Sequence, residues 1–218
     1  MQIQDSILTS VPVFKVTDSL KEVILFFNQT TYSHIAVVDN GVYIGALEKN
    51  DLENYEVDKI IEAYRYQLAT FLARPEASWL DVLEVFSKNE ANVLPVVNKE
   101  GKVLGYYDLI DIVDLFINTP FFTEPGGILV LAKGIKDYSF SEIAQIVESN
   151  NQKLIGAFIT DSRNDVIQIT IKIGSEHLNE VIQTFRRYNY TILYGSDDDQ
   201  FIEDLKERSD YLDKYLNV

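Results

Sequence analysis

A segment of the sequence returns sixty residues later. SHIAVVDNGVYIGALEKNDL at 33–52 comes back as NVLPVVNKEGKVLGYYDLIDI at 92–112, with Gly41 answered by Gly101, Gly45 by Gly105, Glu48 by Asp108 and Asp51 by Asp111. Upstream the offset is 59, where TDSLKEVILFF at 17–27 matches EASWLDVLEVF at 76–86. A repeated unit of this length stacks on its own copy, because one unit alone cannot bury its apolar face. The first half of the chain is therefore two copies of one supersecondary element.

Each copy has the same local physics. Ser19 and Ser78 are followed three residues later by Glu22 and Asp81, the capping-box spacing, and apolar helical periods run over about 19–30 and 78–90. Then come β-rich runs, HIAVVD and VLPVV, a Gly-containing turn, and second strands VYIGAL and KVLGYY. A helix feeds a hairpin, and another helix closes each unit. The cluster YRYQLATFL at 64–72 reads as a linker helix whose aromatic side chains serve core or subunit packing.

These residues carry a resemblance. A helix, a strand of the type x-P-V-V-D, a glycine turn and a strand running into G-h-h-T-x-x-D resemble the CBS domain, over about 8–116, with copies at about 8–55 and 70–116. The resemblance implies a Bateman module, a pseudo-twofold pair of CBS domains with a cleft that often holds adenosine, AMP, ATP or S-adenosylmethionine. It implies that Asp51 and Asp111 accept hydrogen bonds from ribose hydroxyls. Where the family has a hydroxyl facing a phosphate, this sequence has Glu48 and Asp108. A carboxylate repels a phosphate by a few kcal/mol at an effective dielectric near 20, so adenosine or AMP is expected ahead of ATP. Lys15 and Arg74, matched at offset 59, and His34, where related domains place a basic residue, are the groups that would neutralise those acids or hold a phosphate. The competing reading makes Glu48, Asp51, Asp108 and Asp111 helix-start residues favoured by the dipole. Four carboxylates could also attract Mg²⁺ or Ca²⁺, but without an EF-hand or similar loop no metal site is expected.

The repeat ends near Leu115, and NTPFFTEPGG at 118–127 has the composition of a linker. Beyond it GILVLAK, a helix capped by Ser139 with Glu142, the hairpin KLIGAFITDSRNDVIQITIKI, the helix HLNEVIQTFRRY and the strand YTILYG give the order βαββαβ, a split βαβ or ferredoxin-like arrangement over 128–195. This part resembles the ACT domain, a dimerising and ligand-sensing unit, and the whole chain resembles the acetoin-utilisation type of CBS protein. The fold class expected is α+β. In the ACT-like part Gly134 occupies the turn where amino-acid ligands approach backbone N–H groups. The helix there begins Asp137-Tyr138-Ser139 and disfavours an anion. The last segment, 196–218, is acidic, yet Ile202, Leu205, Leu212 and Leu216 form one stripe, which predicts an amphipathic C-terminal helix.

Composition narrows the function. With 34 acids against 19 Lys and Arg the net charge is −15, which repels nucleic acid and anionic lipid. There is no Cys, and the two His are too few and too separated for a transition-metal site. No run approaches the roughly 18 apolar residues of a membrane span, so a cytoplasmic, soluble protein is expected. No Walker loop, dinucleotide fingerprint or nucleophile elbow is present. The expectation is a non-catalytic regulatory homodimer with an adenosine-type ligand. The alternatives are an interaction module without a ligand and an amino-acid sensor acting through the ACT-like part; the ligand's identity and the downstream partner are not encoded in any motif.

Overall fold

The computed structural model describes residues 3–174 and 178–195, and the chain divides into two compact units, Met1–Ile117 and Asn118–Val218. The stripe at 202–216 lies outside the described residues. Among the described residues, no helix is long and apolar enough to cross a membrane.

In the first unit each repeat begins at its capped helix. Helix α1 (Leu20–Gln29) starts at Ser19, whose Oγ accepts the Lys21 N–H rather than that of Glu22, and it buries Leu20, Val23 and Phe27. In α2 (Trp79–Lys88) Ser78 and Asp81 form the full capping box, and Val82 and Phe86 turn inward. Strands β2 (His34–Asp39) and β3 (Val42–Glu48) pair antiparallel through Asn40-Gly41, whose φ values of 49° and 81° suit a primed two-residue turn. Strands β4 (Val93–Val97) and β5 (Val103–Asp108) repeat the hairpin, followed by α3 (Leu109–Ile117). The closing helices differ: after β3 the chain makes only a 3₁₀ segment, Asn50–Asn54.

The two repeats are interlocked by exchanged edge segments. Leu8, at the start of the chain, exchanges both backbone hydrogen bonds with Tyr106 of the second repeat, at 2.7 and 2.9 Å. A few residues later β1 (Phe14–Lys15) lies parallel to Val37 and Val38 of the first. The pattern recurs at an offset of about 60: Ala69 exchanges both bonds with Ala46, at 2.8 and 2.9 Å, and Ala73 bridges in parallel to Val96. This corrects the linker helix expected over 64–72. Residues Ile61–Gln67 form a 3₁₀ segment broken at Tyr64, and from Leu68 the chain is extended because its backbone groups are committed to β3 and β4. The exchange explains two glycines. Gly45 and Gly105 have φ of 155° and 151°, and a Cβ there would lie 2.7 Å from Leu68 Cβ and 2.6 Å from Ile7 Cγ2 respectively.

The second unit is an antiparallel four-stranded sheet in the order β7 (Leu154–Arg163), β8 (Val166–Ile173), β6 (Gly127–Gly134), β9 (Thr191–Tyr194). With α5 (Phe140–Ser149) after β6 and α6 (Asn179–Arg187) after β8, the order is βαββαβ, a split βαβ arrangement. One face packs Leu129, Leu131, Ile169 and Ile171 against Ile143, Val147, Val181 and Phe185 of the helices. Asn164 and Asp165, both at positive φ, close the β7–β8 hairpin. The stretch 118–127 carries a one-turn helix, α4 (Pro120–Thr123), whose Phe121 ring lies over Gly156 and against Phe158, while Phe122 O accepts from the buried Lys172 Nζ at 3.4 Å.

Candidate functional site

The centre of the first unit is a local twofold relation between residues 59 apart. Ser33 N–H donates to Asn92 Oδ1 at 2.8 Å, and Asn92 N–H donates to Ser33 Oγ at 2.9 Å; Asn92 Nδ2 also reaches Thr31 O at 2.7 Å. The carbonyls of the same two residues accept from Lys49 and Leu109, the residues that follow Glu48 and Asp108, at 2.8 and 3.0 Å. The acidic positions of both repeats are thus tied through the backbone to one junction.

In the first repeat, Glu48 ends β3 with its side chain 38% exposed, and Asp51 lies in the following 3₁₀ segment. Between them and the core stands His34, the first residue of β2, 2% exposed and packed edge-on against Phe71 at 4.9 Å. Its Nδ1 is 2.9 Å from Ser33 Oγ. Its Nε2 faces Glu48 Oε2 at 3.8 Å, so the tautomer that turns an N–H towards the carboxylate carries its proton on Nε2 and accepts the serine hydroxyl at Nδ1. Burial pulls the His34 pKa below its ordinary value, and the negative charges of Glu48 and Asp51 oppose that shift. Tyr55 stacks on Tyr64 at 3.9 Å, its hydroxyl pKa pushed up to about 12 by burial first and then by Asp51, Tyr64 and Glu48.

The second repeat is built differently. Asp108 Oδ1 accepts the Ile110 N–H at 2.8 Å, so its carboxylate caps the start of α3. One turn on, Asp111 has a pKa raised by burial and then by Asp108 and Asp114. The counterpart of His34 is Val93, fully buried.

The basic candidates part company. Lys15 is exposed on β1, its backbone N–H donating to Asp18 Oδ2 at 2.7 Å. Arg74 is occupied: its Nη1 donates to Val97 O at 3.0 Å and to Asn98 O, holding the end of β4 rather than facing Glu48 or Asp108. Of the seven residues singled out in the sequence, the structure gathers His34, Glu48 and Asp51 in the first repeat and Asp108 with Asp111 in the second. Among the described residues no group of three or more His, Asp or Glu side chains is arranged to hold a metal ion.

Beside the Ser33–Asn92 junction opens a cavity of about 490 Å³, with Leu83, Phe86 and Leu109 as apolar wall and Ser87, Glu90 and Asn92 as polar rim. None of the seven lines it. Its one legible signal was that positions 33 and 92 correspond at offset 59, in front of the matched strands.

Residues 5–58 and 71–118 each match the CBS domain, so the chain carries a tandem CBS domain pair. It is 25% identical over 100 residues to an uncharacterised protein of Methanocaldococcus jannaschii, a match spanning 44% of this chain and 37% of that relative's length. Among solved structures it is similar to a CBS domain pair/ACT domain protein from Thermotoga maritima, at 21% identity over 54% of this chain and 97% of that one, with a TM-score of 0.48. It is also similar to CBSX2 in complex with AMP, at 17% identity over 53% and 96% of the two chains and a TM-score of 0.44. The cytosolic domain of the Mg²⁺ channel MgtE in complex with ATP matches at 23% identity over 50% and 46%, with a TM-score of 0.44.

Proposed function

We propose that the chain is a non-catalytic regulatory protein whose CBS pair binds an adenosine-type ligand, adenosine or AMP ahead of ATP, coupled to an ACT-like dimerisation domain. The observation that carries the reading is the pair of carboxylates at the phosphate-side positions, Glu48 half exposed beside a neutral imidazole and Asp108 at a helix start, with Asp51 and Asp111 one turn further on where ribose hydroxyls would be met. In the ACT-like part the sensing turn is filled by the chain itself. Glu142 accepts from Lys133 Nζ at 2.6 Å and from the Tyr190 hydroxyl at 2.7 Å, and Asp137 Oδ2 lies 2.8 Å from where a Gly134 Cβ would stand. That favours assembly over amino-acid sensing, and the expected light-scattering mass is twice the 25.0 kDa chain.

The test is a thermal-shift series with adenosine, AMP, ADP, ATP, S-adenosylmethionine and amino acids, since a ligand of the native state raises apparent stability by mass action. Adenosine or AMP is expected to give the largest shift, reduced in Asp51→Ala and Asp111→Ala. One observation favours a second reading, an interaction module without a ligand: Asp108 and Arg74 are already used by the chain's own backbone. A flat response to every compound would support it.

A further inference from the structure

We infer that His34 is the specificity-determining residue of the first repeat: an adenosine ligand carrying a phosphate binds there with uptake of one proton by His34, whereas adenosine binds without it. The inference rests on the ligand-binding reading and adds its regulation.

The groups facing the imidazole are Glu48 from β3 and Asp51 from the 3₁₀ segment, both acidic. The cations of the neighbourhood are turned elsewhere. Lys49 Nζ donates to Phe27 O at 3.0 Å and Thr30 O at 3.3 Å, Arg65 pairs with Asp39 at 2.9 Å, and Arg74 holds the end of β4. Packed against the ring on its other side is Phe71, which carries no charge. A phosphate arriving next to Glu48 therefore meets two negative charges, and conversion of the imidazole to imidazolium halves that local charge. The proton comes from solvent and goes to Nδ1, and the Ser33 hydroxyl turns so that Oγ accepts from both Nδ1–H and Asn92 N–H. Nδ1–H then has its acceptor in Ser33 Oγ, and Nε2–H faces Glu48 Oε2 at the ion-pair distance of 3.8 Å. The second repeat has Val93 at this place, so Asp108 has no such switch in the pH range of histidine.

The experiment is calorimetric titration of the full chain, in the Asp111→Ala background, which weakens the second repeat so that the first dominates the signal. The two probes are adenosine and adenosine 5′-(methyl phosphate), whose single charge does not titrate between about pH 5.5 and 8, the range of histidine. The affinity ratio of the methyl phosphate to adenosine is expected to rise as pH falls, approaching about tenfold per pH unit, the slope of one coupled proton. The binding heat should vary with buffer ionisation enthalpy for the methyl phosphate alone. In His34→Gln the slope should vanish, and Glu48→Gln, which leaves the core untouched, should raise methyl phosphate affinity at pH 8 and flatten the slope. A ratio independent of pH, or one whose slope survives in His34→Gln, overturns the inference while leaving the ligand-binding reading standing. Absence of adenosine binding at every pH overturns that reading and the inference with it.

Discussion

Replacing Gly105 by Ala tests the interlocked edges. The residue sits at φ 151°, in a region of backbone space that is essentially glycine's own and costs about 1–3 kcal/mol for other residues. A methyl there would fall within contact distance of Leu8 O and 2.6 Å from Ile7 Cγ2. The crossing segment must move away, and the two Leu8–Tyr106 backbone bonds go with it, at roughly 0.5–1.5 kcal/mol each. Gly105→Ala should therefore destabilise the first unit by about 2–6 kcal/mol. Gly41→Ala is the control: φ is 81° but nothing lies within 4 Å of the added Cβ, so the cost should be about 1–2 kcal/mol. The assay is urea unfolding followed by the fluorescence of Trp79, the only Trp in the sequence, which stacks on Phe116 and so reports the first unit. Equal losses for the two variants would refute the reasoning, because the backbone crossing would then add nothing to the torsional strain.

Two further outcomes follow from single contacts. Arg74→Ala should lower the stability of the first unit by about 1–2 kcal/mol, through the lost bonds to Val97 O and Asn98 O, and leave nucleoside affinity unchanged in calorimetry. Glu142 has its carboxyl pKa held below the ordinary value by hydrogen bonds from Lys133 and Tyr190. A depressed carboxylate stabilises above its unfolded pKa and loses that contribution as pH falls through the folded one, so Glu142→Gln should destabilise the second unit at pH 7 by about 1–2 kcal/mol, with the difference closing as pH falls below the ordinary glutamate range in urea titrations followed by circular dichroism.

Where a pattern is local and periodic, the sequence already contained it. The offset of 60 announced the two hairpins, Ser78 with Asp81 announced α2, and the order of periods after Gly127 announced the βαββαβ sheet. The exchanged edges were not legible, because a pairing such as Leu8 with Tyr106 or Ala69 with Ala46 is one bridge long and leaves no alternation to read. Residues 64–72 misled for the same reason, their apolar spacing serving two sheets rather than a helix face. Within the site, the residue types were legible and their commitments were not. Arg74 and Lys15 correspond at offset 59, yet only the fold shows one guanidinium committed to backbone carbonyls. Nor does a serine in front of a strand reveal that its hydroxyl links the local twofold to an imidazole.

The central claim is that carboxylates at Glu48 and Asp108 turn an adenosine site against polyphosphate, and calorimetry of the intact protein at pH 8, where His34 is neutral, tests it most directly. The account predicts that adenosine or AMP binds more tightly than ATP. Asp51→Ala and Asp111→Ala should each weaken the nucleoside by about 1–3 kcal/mol, the range of a hydrogen bond to a charged group whose partner is removed. ATP binding more tightly than AMP, or nucleoside affinity untouched by both substitutions, would contradict it.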